Sequence, residues 1–164
     1  VRCAPDAYSF PFIFYCPFAM PRIQYSLPEH FVFSTDMQIY TSHINWGGHL
    51  DNAQLLTLVS EARVRFFQWL GYTEGQIEHC SIVVGDMLVQ YKSEAFHGET
   101  MQVQLAPTDF NRYGFDLAFQ LREPSTGREV ARGKQGIVFI DVAEKKVASV
   151  PEAFQARLAA RGTL

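Results

Sequence analysis

A chain of 164 residues, 48% of them hydrophobic and 19% charged, carries enough apolar material for one compact core and has the composition of an ordinary globular domain. Its formal charge of −3, with the basic residues scattered, excludes the basic patch that gripping a nucleic-acid backbone requires. Cys3, Cys16 and Cys80 show no metal-ligand spacing and cannot all pair with one another, which excludes a disulfide framework and fits a reducing, cytoplasmic setting.

Residues 1–19, VRCAPDAYSFPFIFYCPFA, are rich in aromatics and broken by Pro5, Pro11 and Pro17. The longest apolar run among them, 12–16, falls short of the roughly 20 residues of a membrane span and of the roughly 7 to 15 of an export signal. This stretch reads as an extension, followed by a single domain over 20–164, with no membrane partner. Along 31–45, Phe31, Phe33, Met37 and Ile39 alternate with polar positions, the period of two that buries one face of a strand. A polar corner follows, INWGGHLDNAQLL, holding two glycines, a histidine, an aspartate and two asparagines. Leu55, Val59, Ala62, Phe66 and Leu70 then recur at spacings of three and four, with Gln54, Thr57, Glu61, Arg65 and Gln68 opposite. That pattern predicts a long amphipathic helix over 52–70, closed by Gly71 as a left-handed cap.

Everything beyond reads as strands until the C-terminus: residues 81–95, the alternation of Met101, Val103 and Leu105, and that of Phe115, Leu117, Phe119 and Leu121. Asn111 to Gly114, NRYG, makes a hairpin turn, 129–142 gives another long strand, and Pro151 opens a short helix ending near Gly162. The fold class is therefore α+β: a curved antiparallel sheet of about five strands wrapped around one long helix, with a short C-terminal helix.

The stretch SHINWGGHLDNAQLLTLVSEARVRFFQWLGY, 42–72, resembles the hot-dog-fold thioesterases of the 4-hydroxybenzoyl-CoA and long-chain acyl-CoA type. Their pattern of Gly-His-Val-Asn-Asn, a Tyr-Leu pair, Glu-Ala-Arg and Leu-Gly corresponds to Gly48 through Asn52, Leu55-Leu56, Glu61-Ala62-Arg63 and Leu70-Gly71. QYKSEAFHGETMQV, 90–103, is similar to a further strand motif, and the likeness runs over about 31–142. It implies a hot-dog fold, self-association as a dimer or tetramer with sites at the subunit interface, and hydrolysis of an acyl thioester with no metal and no bound cofactor. One position departs: the family's loop aspartate falls on Asn45, while Asp51 replaces its first asparagine.

Thioester hydrolysis needs a polarised carbonyl and an activated water or a carboxylate nucleophile. A helix N-terminus offers free N–H groups and the positive end of the dipole. The expected catalytic set is the Asn52 N–H as carbonyl donor, Asp51 as general base or nucleophile, Asn45 as orienting group, His49 fixing the corner, and Glu61 on the helix. Asp51 with Gln54 also makes a capping box, and Glu61 with Arg65 an i, i+4 surface pair. Gly48 at the turn and Asp86 in the apolar strand IVVGDMLV complete the expected substrate side, a structural pair with a basic neighbour being the plainer account of Asp86. Arg112, Arg132 and Lys134 are the cations available for CoA phosphates. Two rival readings remain open: a non-catalytic acyl-CoA binder, suggested by Asn45, and an enoyl or hydroxyacyl thioester hydratase.

Overall fold

A computed structural model of the chain describes residues 23–162, so the expected extension over 1–19 lies outside the described residues. Their elements run β1 (Phe33–Gln38), a single 3-10 turn (Thr41–His43), α1 (Asn52–Trp69), β2 (Cys80–Tyr91), β3 (Thr100–Asn111), β4 (Gly114–Arg122), β5 (Glu129–Asp141), β6 (Lys146–Val147) and α2 (Glu152–Gly162). The sheet is antiparallel throughout, ordered β1-β3-β4-β5-β2, with the two-residue β6 pairing β5. Five long strands and two helices match the expected architecture.

The buried side of α1 is Leu55, Leu58, Val59, Ala62, Phe66 and Phe67, the stripe that its 3.6-residue period dictates. It meets the inner positions of the strands, Met101, Val103 and Leu105 of β3, Leu117, Phe119 and Leu121 of β4, and Ile137 and Phe139 of β5, in one hydrophobic cluster. The helix ends in a Schellman motif: Gly71 N–H donates to the Gln68 carbonyl at 2.8 Å and Tyr72 N–H to that of Phe67 at 2.9 Å. Gly71 takes φ +83° there, a conformation open to glycine at little cost. Phe154 of α2 closes the distal end against Phe67, Tyr72, Phe115 and Phe139. No helix of the described residues is long and apolar enough to cross a membrane.

Two strands stop earlier than their composition predicts. The first, expected to reach residue 45, leaves the sheet after Ile39, whose N–H still bonds the Glu99 carbonyl at 2.9 Å; His43 N–H then folds back to the Tyr40 carbonyl at 2.9 Å. The second, expected to reach 95, ends at Tyr91 because the N–H groups of Lys92 and Ser93 both converge on the carbonyl of Val130, at 2.9 and 3.3 Å. Both departures bring loops to the N-terminus of α1.

Candidate active site

The corner between β1 and α1 is a small hairpin bridged at Ile44 and Leu50. Asn45 N–H donates to the His49 carbonyl at 3.0 Å and Gly48 N–H to the Asn45 carbonyl at 3.0 Å, with Gly48 at φ +82°. Inside the turn the Asn45 side chain accepts from Gly47 N–H through Oδ1 at 2.8 Å. That bond fixes the amide's orientation, so its Nδ2 faces His49 Nδ1, 3.3 Å away. An amide nitrogen can only donate. Nδ1 lies 3.3 Å from this donor and 3.4 Å from the Leu50 carbonyl; accepting at the shorter of the two contacts leaves the ring proton on Nε2. A Cβ on Gly47 would stand 2.9 Å from His49 Nε2 and 3.2 Å from Asn45 Oδ1, so the ring rests where only a glycine leaves room.

Asp51 caps α1. Its Oδ1 accepts from Ala53 N–H at 2.8 Å and Gln54 N–H at 3.3 Å, while Leu55 N–H takes the Asp51 carbonyl at 2.8 Å. Of the first four helix amides, the three after Asn52 are satisfied within the turn. The Asn52 N–H has no protein acceptor among the described residues, and it carries the positive end of the helix dipole.

A cavity of about 330 Å³ opens beside Asn52, lined on its apolar side by Leu50, Leu55, Ala95 and Val130 and on its polar side by Asn45, His49, Asn52, Tyr91, Lys92, Ser93 and Glu94. The loop after β2 is tied over the helix start by three hydrogen bonds to main-chain carbonyls. Leu50 N–H donates to the Ala95 carbonyl at 2.7 Å, the Ser93 hydroxyl to the Glu129 carbonyl at 2.7 Å, and the Arg128 guanidinium to the Glu94 carbonyl. Tyr91 donates its hydroxyl to the Asn52 carbonyl at 3.3 Å. His49 Nε2 lies 4.0 Å from Glu94 Oε1.

The structure thus gathers Asn45, His49 and Asn52 at one cavity and leaves the other expected residues off it. The Asp51 carboxylate is engaged as a cap and does not line the cavity. Glu61 holds Arg65 at 2.8 Å, the i, i+4 pair foreseen from spacing. Asp86 follows a bulge in β2, is exposed, and forms no ion pair among the described residues, so the basic partner expected for a buried carboxylate is not required. Gly48 shapes the turn without reaching the cavity lining.

None of the three expected phosphate binders faces the cavity. Arg132 and Lys134 alternate with inward Gly133 and Gln135 on β5, which puts them on the sheet face away from α1. Arg132 is paired with Glu129 at 2.6 Å, a contact that raises the guanidinium's pKa. The hydrogen bond from Lys134 to Asp116 raises the ammonium's in the same way. Arg112 stacks on Tyr113 and reaches Ser149 Oγ at 3.4 Å. The groups that periodicity did not mark, Tyr91, Lys92, Ser93 and Glu94, come from the strand end and loop that fold over α1.

The sequence profile of the thioesterase-like superfamily matches residues 39–158. No curated protein matches the chain. Among solved structures, Slr0204 of Synechocystis, a 1,4-dihydroxy-2-naphthoyl-CoA thioesterase, superposes with a TM-score of 0.71 at 18% identity, over 77% of this chain and 95% of its own. A thioesterase of Thermus thermophilus, solved with coenzyme A and Zn, gives 0.72 at 23% identity over 84% and 100%. SAV2348 of Staphylococcus aureus, solved with CoA, gives 0.72 at 17% over 86% and 92%. At these identities the likeness is one of fold, the hot-dog arrangement of a sheet packed on a long helix.

Proposed function

The chain belongs to the thioesterase-like superfamily, and on that premise we propose that it hydrolyses an acyl-CoA thioester to the free acid and CoA. The observation that carries this reading is the Asn52 N–H, unclaimed among the described residues, at the head of an 18-residue helix whose first residue lines the cavity. As water adds to the carbonyl carbon, the C=O π pair moves onto oxygen, and a fixed donor at that oxygen is worth about a hundredfold or more in rate. The cap contributed by Asp51 serves the same step, because it holds the first turn rigid and leaves only the Asn52 amide to face the substrate.

CoA as the carrier is supported by the two CoA-bound neighbours of the same fold and by Lys92 on the cavity wall, a cation positioned for a phosphate. A volume of about 330 Å³ sits at the low end of ligand sites, roughly 300 to 1,000 Å³, and favours a compact acyl group over a long chain. Self-association is supported by the sheet order: β2 closes it, and its outer edge carries the exposed Val83 and Val84, an edge open to pairing with a second copy. Sedimentation at micromolar protein tests that point, and a monomer there removes it.

The reaction itself is tested by offering the purified protein acetyl-, benzoyl- and palmitoyl-CoA and following thiol release. Turnover of a short or aromatic substrate in preference to palmitoyl-CoA is the expected result. Micromolar binding of all three without thiol release would replace the hydrolase with an acyl-CoA binder, a reading that Asn45 in place of a carboxylate also suits.

A further inference from the structure

A hydrolase with Asn45 at the corner and Asp51 committed to the helix cap still needs a group to take a proton from water. Among the described residues, one carboxylate lines the cavity, that of Glu94. We infer that Glu94 is the general base of the hydrolysis proposed above, on which this assignment rests, and that His49 and Asn45 are the positioning residues that hold its carboxylate.

The chain of contacts has a definite direction. Gly47 N–H fixes the Asn45 amide at 2.8 Å, the amide donates to His49 Nδ1 at 3.3 Å, and Nε2, which carries the ring proton in that tautomer, lies 4.0 Å from Glu94 Oε1. The last gap is longer than a hydrogen bond, a common feature of catalytic contacts before substrate arrives. A small rotation of the glutamate closes it, since its side chain is 65% exposed while its backbone is tied by Arg128 at its own carbonyl and by Leu50 at the next. Donation to one oxygen of Glu94 leaves the other to face water at the cavity.

In the reaction, a water O–H proton moves to Glu94 as the water oxygen bonds to the carbonyl carbon, and the negative charge collects on the oxygen facing Asn52 N–H. When the tetrahedral species collapses, the C–S bond breaks, the sulfur leaves with the bonding pair, and the proton on Glu94 passes to it. The products are one carboxylic acid and one thiol, with Glu94 restored. No metal or redox partner enters the balance.

The deciding experiment measures kcat and KM for wild type, Glu94→Gln, Glu94→Ala, His49→Ala and the double alanine variant on the best substrate of the panel, with melting temperatures alongside. Glu94→Gln is expected to lower kcat by a hundredfold or more, in the range of lost general-base catalysis, with KM within about threefold and the melting temperature unmoved. Formate added to Glu94→Ala should restore part of the rate, since a free carboxylate can enter the vacated space. The double variant should lose little more than Glu94→Ala alone, because His49 acts through the carboxylate. A Glu94→Gln enzyme within threefold of wild type overturns the assignment and leaves the hydrolase reading intact. So does an inactive Glu94→Ala that formate cannot rescue and that melts several degrees lower. Absence of thiol release by wild type from every substrate overturns both together.

Discussion

The Asn45 side chain donates to His49 Nδ1 across the tip of the corner, 3.3 Å apart, while its own Oδ1 is held by Gly47 N–H. Acceptance from that amide at Nδ1, which also lies 3.4 Å from the Leu50 carbonyl, puts the ring proton on Nε2. In Asn45→Asp, Oδ1 keeps the Gly47 bond and the second oxygen accepts where the amide donated, so the ring proton should move to Nδ1. Long-range nitrogen–proton NMR correlations distinguish the two tautomers. Finding the Nδ1–H form in the wild-type protein contradicts the arrangement.

Gly47 is constrained by contact more than by conformation. Its added Cβ would lie 2.9 Å from His49 Nε2 and 3.2 Å from Asn45 Oδ1, so Gly47→Ala must displace the imidazole. We expect thiol release to fall at least tenfold with a melting temperature within a few degrees of wild type, since the turn is exposed and the core untouched. A fully active Gly47→Ala would mean that the ring position is immaterial.

Asp51 holds two amides of α1, and removal of such a cap costs about 1 kcal/mol. Urea unfolding of Asp51→Ala should show a loss of that order, whereas Asp51→Asn, which keeps an acceptor oxygen, should lose a fraction of it. On activity, Asp51→Asn is expected to cost less than tenfold. A hundredfold loss would move the base from Glu94 to Asp51.

Burial pushes the Cys80 thiol above its ordinary value, with the Asp141 carboxylate adding to the shift, and the side chain is wholly buried. The thiolate is the reactive form. Iodoacetamide at pH 8 should therefore leave Cys80 unmodified in the native protein and label it once the chain is unfolded in guanidinium, as peptide mass mapping would show.

Hydrogen bonding from Arg132 is the main cause that holds the Glu129 carboxyl below its ordinary value of 4.5. A group whose folded value is depressed stabilises the fold above its unfolded value, and that contribution disappears as pH falls through the folded one. Wild-type stability should consequently decline below about pH 4.5 more steeply than that of Glu129→Gln. Superimposable acid limbs for the two proteins would show that the pair contributes nothing measurable.

Elements with long, regular periodicity were readable from the residues. Five stripe positions spaced by three and four delimited α1 to within a residue, Gly71 marked its end, and NRYG placed the β3–β4 turn. The cluster at the helix start was only half legible. Asn45, His49 and Asn52 are neighbours in sequence, so a local motif reveals them, but Glu94 joins them through Leu50 N–H and the Ala95 carbonyl, a tertiary pairing with no period to betray it. Asp86 misled for the opposite reason. It sits in an apolar run that looks buried, yet β2 is an edge strand and exposes that side to solvent.

The Leu50 to Ala95 bond is a main-chain connection, indifferent to the side chains of 92 and 96 around it. Those two positions can be exchanged while the strap that anchors Glu94 stays fastened. Protein engineers could transplant variant loops there and expect new acyl preferences without refolding trouble, and natural relatives could diversify by the same route.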